Sequence, residues 1–308
     1  MVNKEIKNLD LVILGAGPAG LTAAIYASRA KLNMIVLENA FPGGQVRNTY
    51  IVENYPGFKH TTGAELADKM QEQAEYVGAV IDEFDPVVNI SLTEEEKIIE
   101  TESYIYKPKA VILATGSVPK KLPVNNEAKF AGKGVHYCAV CDGAMYTDKV
   151  VGVVGGGNAA LEEAIFLSRF AKKVYSIRRA DSFNGEKSLF EEAVNNEKIE
   201  ILYNTDVVSF EGNDFLEKVI LQDTITGEKR EINMDGVFGS IGTEPKTTDI
   251  SKYINVNEYG YILTNELMET NVPGVFAAGD VREKPYRQIT TAVADGTVAA
   301  LAAERYIK

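Results

Sequence analysis

The chain has 308 residues, 45% of them hydrophobic and 25% charged, a composition typical of a globular protein long enough for about two domains. Its formal net charge of −12 argues against general nucleic-acid binding, because neutralising phosphates requires a basic surface. Its two cysteines exclude a disulfide-rich secreted scaffold. No apolar run approaches the length of about 20 residues that spans a bilayer, and no signal-peptide pattern opens the chain, so we expect a cytoplasmic protein without a membrane partner.

The first predicted elements are a strand, a glycine-rich turn and a helix. Residues 10–14 are apolar, residues 15–20 read Gly-Ala-Gly-Pro-Ala-Gly, and residues 21–29 have helical spacing. The next apolar strand ends at Glu38. Such glycines let backbone approach a pyrophosphate at a helix N-terminus, and an acid at this position can bond an adenosine ribose. The pattern predicts a dinucleotide site, with a merely tight turn as the alternative.

The same order of elements recurs about 140 residues later. An apolar strand over 149–154 leads into Gly-Gly-Gly-Asn-Ala-Ala, a helical pattern over 161–170 and a strand over 173–177. Further apolar strands that run into glycine turns, and a closing Ala-rich helix, are predicted over residues 109–116, 235–242, 274–280 and 288–306.

We therefore predict an α/β fold with two Rossmann-like, doubly wound, three-layer domains, the second inserted in the first. Residues 1–116 and 248–308 are assigned to a discontinuous dinucleotide-binding domain. Residues 117–247 are assigned to a second, inserted nucleotide-binding-type domain.

Both cysteines lie in one motif, Cys138-Ala-Val-Cys141-Asp142. Two thiols at this spacing can close a disulfide, which favours a redox-active dithiol. One alternative is a pair of inert buried thiols, and another is a zinc site. Only His136 lies near the cysteines as a further ligand, which is too few for zinc, so no metal is predicted. Asp142 could exchange a proton with a departing thiolate, or it could simply cap a helix.

These motifs resemble the low-molecular-weight bacterial thioredoxin reductases in order and spacing along nearly the whole chain. The dithiol inside the second nucleotide-type domain is the most specific mark. The residues that carry the resemblance are Gly15 to Gly20, Gly43-Gly-Gln45, Ala114-Thr-Gly116, Cys138 to Asp142, Gly155 to Asn158, Ala277-Ala-Gly-Asp280 and Arg287-Gln-Ile289.

The resemblance implies a homodimeric flavoprotein enzyme that reduces thioredoxin. It implies that residues 1–116 and 248–308 form the FAD-binding domain and that residues 117–247 form an NAD(P)H-binding-like domain that carries the redox-active dithiol. It implies that Cys141 lies next to the flavin, that Cys138 attacks the substrate disulfide and that Asp142 is the acid–base group. The second domain would rotate so that the dithiol alternates between flavin and thioredoxin. The residues that it assigns to FAD binding are Gly15, Ala16, Gly17, Pro18, Ala19, Gly20, Glu38, Gly43, Gly44, Gln45, Asn54, Val88, Ala114, Thr115, Gly116, Gly279, Asp280, Arg287, Gln288 and Ile289.

One segment departs from the family pattern. The second fingerprint, Gly155-x-Gly157-x-x-Ala160, is intact. In this segment the family has a histidine and three arginines, and the arginines hold the NADPH 2′-phosphate. Here Arg178 stands at the position of the histidine and Arg179 at that of the first arginine, whereas the other two arginines are replaced by Ala180 and Asn184. Each charge-assisted arginine bond contributes about 1.5–3 kcal/mol, so losing two weakens NADPH by about two orders of magnitude or more.

The electron donor is therefore predicted to be reduced ferredoxin, as in the clostridial flavin-type branch of the family, with NADPH as the alternative and NADH as a further one. The lysine pairs 120–121 and 172–173 are candidates for a basic docking patch, although solvated surface lysines are the more common explanation of such pairs. Reduction of a peroxiredoxin-type partner and a non-catalytic redox sensor are the other functions considered.

Overall fold

A computed structural model describes residues 4–49, 52 and 54–308; the side chains of Asn48, Val140 and Cys141 lie outside this description. The chain divides into two compact units. Unit 1 comprises residues up to Val118 and from Glu244 onward, and unit 2 comprises Pro119–Thr243. The assignment of functional domains drawn from the sequence stays a prediction.

The α-helices of the described residues are α1 (Pro18–Arg29), α2 (Gly63–Tyr76), α3 (Glu127–Phe130), α4 (Ala139–Asp142), α5 (Asn158–Ser168), α6 (Lys187–Val194) and α7 (Ile289–Ile307). The strands are β1 (Glu5–Leu14), β2 (Met34–Glu38), β3 (Ile81–Glu83), β4 (Val87–Leu92), β5 (Lys97–Thr101), β6 (Tyr104–Leu113), β7 (Ser117–Pro119), β8 (Val135–His136), β9 (Val150–Gly155), β10 (Lys173–Ile177), β11 (Ile199–Leu202), β12 (Thr205–Glu211), β13 (Lys218–Asp223), β14 (Lys229–Asn233), β15 (Gly236–Ser240), β16 (Thr243–Pro245) and β17 (Val275–Ala277). Short 3-10 turns occupy Gly44–Asn48, Gly143–Tyr146 and Gly279–Val281.

Unit 1 is built on a parallel sheet with strand order β3-β2-β1-β6, in which β17 also pairs with β6. The antiparallel strands β5 and β4 extend the sheet, because β5 pairs with an earlier part of β6 than the part that pairs with β17. One face of β1 packs Leu11 and Ile13 against the alanine-rich helices, and the other face packs Val12 and Leu14 toward β4 and β5. The alternation follows from the twofold period of a strand whose two faces are both covered.

Small residues bring the helices of unit 1 close to its sheet and to one another. A Cβ on Gly20 would overlap the carbonyl oxygen of Gly15, and a Cβ on Gly296 in α7 would overlap the carbonyl of Ala19 in α1. Helix α1 therefore lies against both the first strand and the last helix, and glycine is required at both contacts.

Unit 2 repeats this plan with a parallel sheet of order β11-β10-β9-β15-β8. Helices α5 and α6 pack on one face of that sheet. An antiparallel sheet of order β12-β13-β14 packs on the other. The predicted α/β class with two Rossmann-like, three-layer units is confirmed.

No helix of the described residues is long and apolar enough to cross a membrane.

Candidate active site

The first glycine loop joins β1 to α1. Gly15 has φ of +100°, and its N–H donates to the carbonyl of Leu37 at 2.8 Å, which draws the loop across the carboxyl end of the sheet. Gly17 is the N-cap of α1, and Pro18 follows in its first turn. A Cβ on Gly17 would meet only the Cα of Gly44, at 4.0 Å. The space in front of this helix N-terminus is therefore open, as an anion-binding loop requires.

Glu38 and the loop after β2 border this space. The Glu38 carboxylate accepts N–H bonds from Ala16 at 2.8 Å and Ala40 at 3.2 Å. Gly43, with φ of +118°, donates its N–H to the Ala16 carbonyl at 2.7 Å. The structure thus brings the predicted ribose acid and the predicted second loop to the same glycine turn.

The ends of β6 and β17 complete the same edge of the unit 1 sheet. Ala114 donates its N–H to Leu14, and its carbonyl lies where a Cβ on Gly15 would be. The Thr115 hydroxyl donates to the carbonyl of Lys246 at 3.1 Å. Gly279 has φ of +79° and is held by its N–H to Asp295 Oδ2 at 3.1 Å.

Asp280 follows β17 and carries a buried oxygen. Its Oδ1 lies 3.5 Å from Lys284 Nζ, a distance at which it makes an ion pair but no hydrogen bond within the described residues. Burial raises the pKa of Asp280, and the charges of Lys284 and Arg287 oppose that change. An oxygen without a hydrogen-bond partner at this edge is suited to a ligand hydroxyl.

The residues before α7 extend this group. The Arg287 guanidinium lies over the Tyr261 ring at 4.0 Å, and its Nε is buried without a hydrogen-bond partner in the described part of the chain. Gln288 is the N-cap of α7, which begins at Ile289, and its Oε1 accepts from Asn54 Nδ2 at 3.1 Å.

Two predicted binding residues are not placed with this group by any described contact. Gln45 is exposed in the 3-10 turn after Gly43, and Val88 is exposed on the edge strand β4. The structure also places two exposed rings that the sequence did not indicate near this group: Phe41 and Phe84 lie 5.1 Å apart, and Phe84 donates its N–H to the Glu38 carbonyl. No sequence signal marks them, because apolar residues in a sequence are expected in a core.

The cysteine motif lies in unit 2. Cys138 is disulfide-bonded, and the chain has only one other cysteine, Cys141, whose side chain lies outside the described part. Asp142 ends α4, and its N–H donates to the Cys138 carbonyl at 3.1 Å.

The Asp142 carboxylate contacts a buried histidine. His136 Nδ1 lies 3.0 Å from Asp142 Oδ2, and His136 Nε2 lies 2.7 Å from the Tyr146 hydroxyl. With both ring nitrogens partnered, His136 has none left for zinc, which removes the support for that alternative. Asp142 makes no side-chain cap to the 3-10 turn that follows it, so the capping alternative is wrong.

A second carboxyl, which the sequence analysis did not identify, lies next to α4, the helix of the cysteine motif. Glu163 on α5 is bonded by the backbone N–H of Ala139 and the side chain of Ser240. Burial raises the pKa of Glu163 to about 7, and these two bonds oppose the change. Its Oε2 is buried without a hydrogen-bond partner among the described residues.

The second glycine loop is covered by the segment after β10. The Arg178 guanidinium occupies the space in which a Cβ on Gly156 would stand, and its Nε donates to the Ser182 carbonyl at 2.8 Å. Asn184 donates its N–H to the Gly156 carbonyl at 2.8 Å. Arg179 is exposed and pairs with Asp206 at 3.2 Å.

Comparisons with known proteins agree with this geometry. The chain matches the pyridine nucleotide-disulphide oxidoreductase family over residues 9–296. It is 53% identical, over 99% of both chains, to a 34.2 kDa protein in the rubredoxin operon of Clostridium pasteurianum. It is 45% identical to a thioredoxin reductase of Bacillus subtilis, over 99% of this chain and 96% of the other.

Solved structures give the same result. A thioredoxin reductase of Lactococcus lactis is 39% identical, with a TM-score of 0.83 over 97% of this chain and 99% of that one. A ferredoxin-flavin thioredoxin reductase of Clostridium acetobutylicum is 34% identical, with a TM-score of 0.53 over 98% of both chains.

The chain belongs to the pyridine nucleotide-disulphide oxidoreductase family. Within that family it is a low-molecular-weight thioredoxin reductase, a flavin-dependent disulfide oxidoreductase that binds FAD. The unit 1 edge fits that cofactor: it offers an open helix N-terminus at Gly17, a carboxylate at Glu38, and buried polar atoms on Asp280 and Arg287 that lack hydrogen-bond partners among the described residues.

Proposed function

We propose that this thioredoxin reductase takes its electrons from reduced ferredoxin and passes them through FAD and the Cys138/Cys141 dithiol to a thioredoxin disulfide. The observation that carries the choice of donor is the segment after β10. Two positions that would hold a 2′-phosphate carry Ala180 and Asn184, neither of which has a cationic side chain.

The remaining cations of that segment have other partners. Arg178 lies on Gly156 and bonds the Ser182 carbonyl, so it covers the loop that a pyrophosphate would approach. Arg179 pairs with Asp206, and that carboxylate would compete with a phosphate for the guanidinium. A dianionic phosphate would therefore find one of these two guanidiniums already paired with a carboxylate and the other held by a backbone carbonyl.

The relatives support both donors. The Clostridium acetobutylicum structure is a ferredoxin-flavin enzyme, and the Clostridium pasteurianum relative lies in a rubredoxin operon, which is in line with a redox-protein partner. NADPH stays the second candidate, because the Gly155-x-Gly157-x-x-Ala160 fingerprint is intact and curated thioredoxin reductases are up to 45% identical.

The chain's own residues carry the binding of the cofactor in this proposal. The amides after Gly17 would hold the pyrophosphate, Glu38 would accept hydrogen bonds from the ribose hydroxyls, and Asp280 and Arg287 would bind the ribityl and ring end. FAD, when bound, accepts electrons from the donor and delivers a pair to the disulfide.

Two electrons and two protons convert the Cys138 disulfide to a dithiol. The Cys138 thiolate then attacks the thioredoxin disulfide, forming a mixed disulfide and releasing one thiolate of thioredoxin. Cys141 attacks Cys138 in the mixed disulfide, which restores the enzyme disulfide and frees reduced thioredoxin. Asp142 takes the proton of the attacking thiol and returns it to the departing thiolate. A cytoplasmic homodimer completes the proposal.

The test is anaerobic mixing of the flavin-loaded protein with reduced ferredoxin, NADPH or NADH while the flavin absorbance is followed. We expect rapid bleaching with ferredoxin, slowed by salt because oppositely charged surfaces are screened, and slow or no bleaching with NADPH. Thioredoxin disulfide should then restore the colour. Steady thioredoxin reduction with micromolar NADPH and no ferredoxin would establish NADPH as the donor.

A further inference from the structure

His136 is a buried histidine two residues before Cys138. It ends β8, is only 6% exposed, and is paired with Phe238 of β15 in the parallel register. Its ring stacks on the Phe238 ring at 5.4 Å, and the Tyr146 ring meets both edge-on. The imidazole is therefore fixed in position by aromatic packing.

The partners of His136 determine which nitrogen carries the proton. A carboxylate only accepts, so the nitrogen 3.0 Å from Asp142 Oδ2, Nδ1, is assigned the hydrogen. The other nitrogen then accepts from the Tyr146 hydroxyl at 2.7 Å. Burial, with the charges of Asp142 and Asp235, raises the pKa of Tyr146 to about 12, so that hydroxyl keeps its hydrogen at neutral pH.

The hydrogen-bonded series Tyr146–His136–Asp142 is buried at the tyrosine end and partly exposed to solvent at the aspartate end. His136 and Tyr146 are buried, whereas the Asp142 side chain is 35% exposed. The other charges facing this series are Asp235 and Lys149, whose Nζ lies 5.4 Å from the centre of the Tyr146 ring. The solvent-facing end is thus the carboxylate that directly follows the cysteine motif.

We propose that His136 is a positioning residue that orients the Asp142 carboxylate, with Tyr146 fixing the histidine tautomer. The inference rests on the proposed role of Asp142 in proton transfer. An N–H donor on Oδ2 restricts rotation of the carboxylate, so Asp142 is held in one orientation directly after the cysteine motif. The proton that Asp142 takes from the attacking thiol goes to the departing thiolate of thioredoxin, and the histidine gains and loses none.

The experiment measures thiol–disulfide exchange without any choice of donor. The FAD-loaded enzyme is photoreduced anaerobically and mixed with thioredoxin disulfide, and flavin reoxidation is followed from pH 5 to 9. The variants are His136→Phe, which keeps a ring on Phe238, Tyr146→Phe, which removes only a hydroxyl, and His136→Asn, which keeps an N–H near Asp142. Tyr175→Phe, on β10 of the same unit, is the matched control.

In His136→Phe we expect the rate of flavin reoxidation by thioredoxin disulfide to fall roughly tenfold, because the carboxylate has lost the hydrogen bond that holds it in position. Tyr146→Phe should lower the rate by less. His136→Asn should restore most of the rate, and Tyr175→Phe should match the wild type.

Profiles of His136→Phe and Tyr146→Phe that superimpose on the wild type would overturn the inference. If His136→Phe does not retain flavin and native circular dichroism, Tyr146→Phe alone decides between these outcomes. Asp142→Asn distinguishes a failure of the positioning role of His136 from a failure of the proton-transfer role of Asp142. If it changes the profile and the histidine and tyrosine variants do not, only the positioning role is wrong; if it changes nothing, the proton-transfer role of Asp142 fails as well.

Discussion

Replacing Glu163 by glutamine should make the protein less sensitive to alkaline pH. The carboxyl lies between α4 and α5, bonded by Ala139 and Ser240, with Oε2 buried and unbonded within the described residues. Glutamine has nearly the same shape as a protonated glutamate but cannot ionise. The variant therefore isolates the free-energy cost of a buried charge next to α4.

The magnitude follows from the difference between the pKa of Glu163 in the folded protein, about 7, and its ordinary value of 4.5. A raised pKa means that the folded state holds a proton that the unfolded chain releases. The free energy of unfolding therefore falls as the pH rises from about 4.5 to about 7, and is level above that. At 1.36 kcal/mol for each tenfold change in proton affinity, the total is about 3 kcal/mol.

The assay is urea unfolding of the FAD-loaded protein at pH 5 and pH 8, with circular dichroism for the whole chain and flavin fluorescence for unit 1. Glu163→Gln should exceed the wild type by less than about 1 kcal/mol at pH 5 and by about 3 kcal/mol at pH 8. The control is Glu192→Gln, on the exposed side of α6 in the same unit, which should give no pH-dependent difference. If Glu163→Gln and the wild type differ by the same amount at both pH values, the reasoning is refuted.

Three further predictions concern the cofactor, the dithiol and a buried ion pair. Gly17→Ala should retain its fold, because the new Cβ meets no protein atom closer than 4.0 Å, but it should lose most of its FAD. Gly157→Ala should keep its FAD. The ratio of flavin to protein absorbance measures both outcomes. Cys138→Ser should bind FAD but reduce no thioredoxin, and residual turnover near the wild-type rate would exclude the dithiol role. Lys284→Met should lower the free energy of unfolding by about 1.5 kcal/mol, because it removes a buried cation 3.0 Å from Asp295 while Arg282, at 3.3 Å, still pairs with that carboxylate, and an unchanged free energy of unfolding would contradict this.

The glycine fingerprints and the strands around them could be predicted from the sequence because their signal is local. An apolar run followed by closely spaced glycines predicted β1 and α1, and the strand over 173–177 agrees with β10 residue for residue. The antiparallel strands β12 to β14 were not predicted. They are short and mostly polar on one face, so no apolar run marks them.

The partners within the candidate site could not be predicted, because they depend on contacts between distant elements. His136 was considered only as a zinc ligand, since nothing in the sequence indicates that Tyr146 and Asp142 would occupy both ring nitrogens. Glu163 lies in an ordinary helical pattern, and its burial against α4 arises only from packing. Arg178 could be aligned with the family but not placed on Gly156.

The discontinuity of unit 1 has a consequence for its biosynthesis. The ribosome makes Gly15 to Gly20 early, but the α7 glycine that seats against Ala19, together with Asp280 and Arg287, emerges only after all of unit 2. At 5–20 residues per second, unit 2 alone delays the closing strand and helix by roughly 10 s. During that interval the apolar face of α1 lacks its final cover. The full set of predicted cofactor-binding residues is therefore present only once synthesis has reached α7.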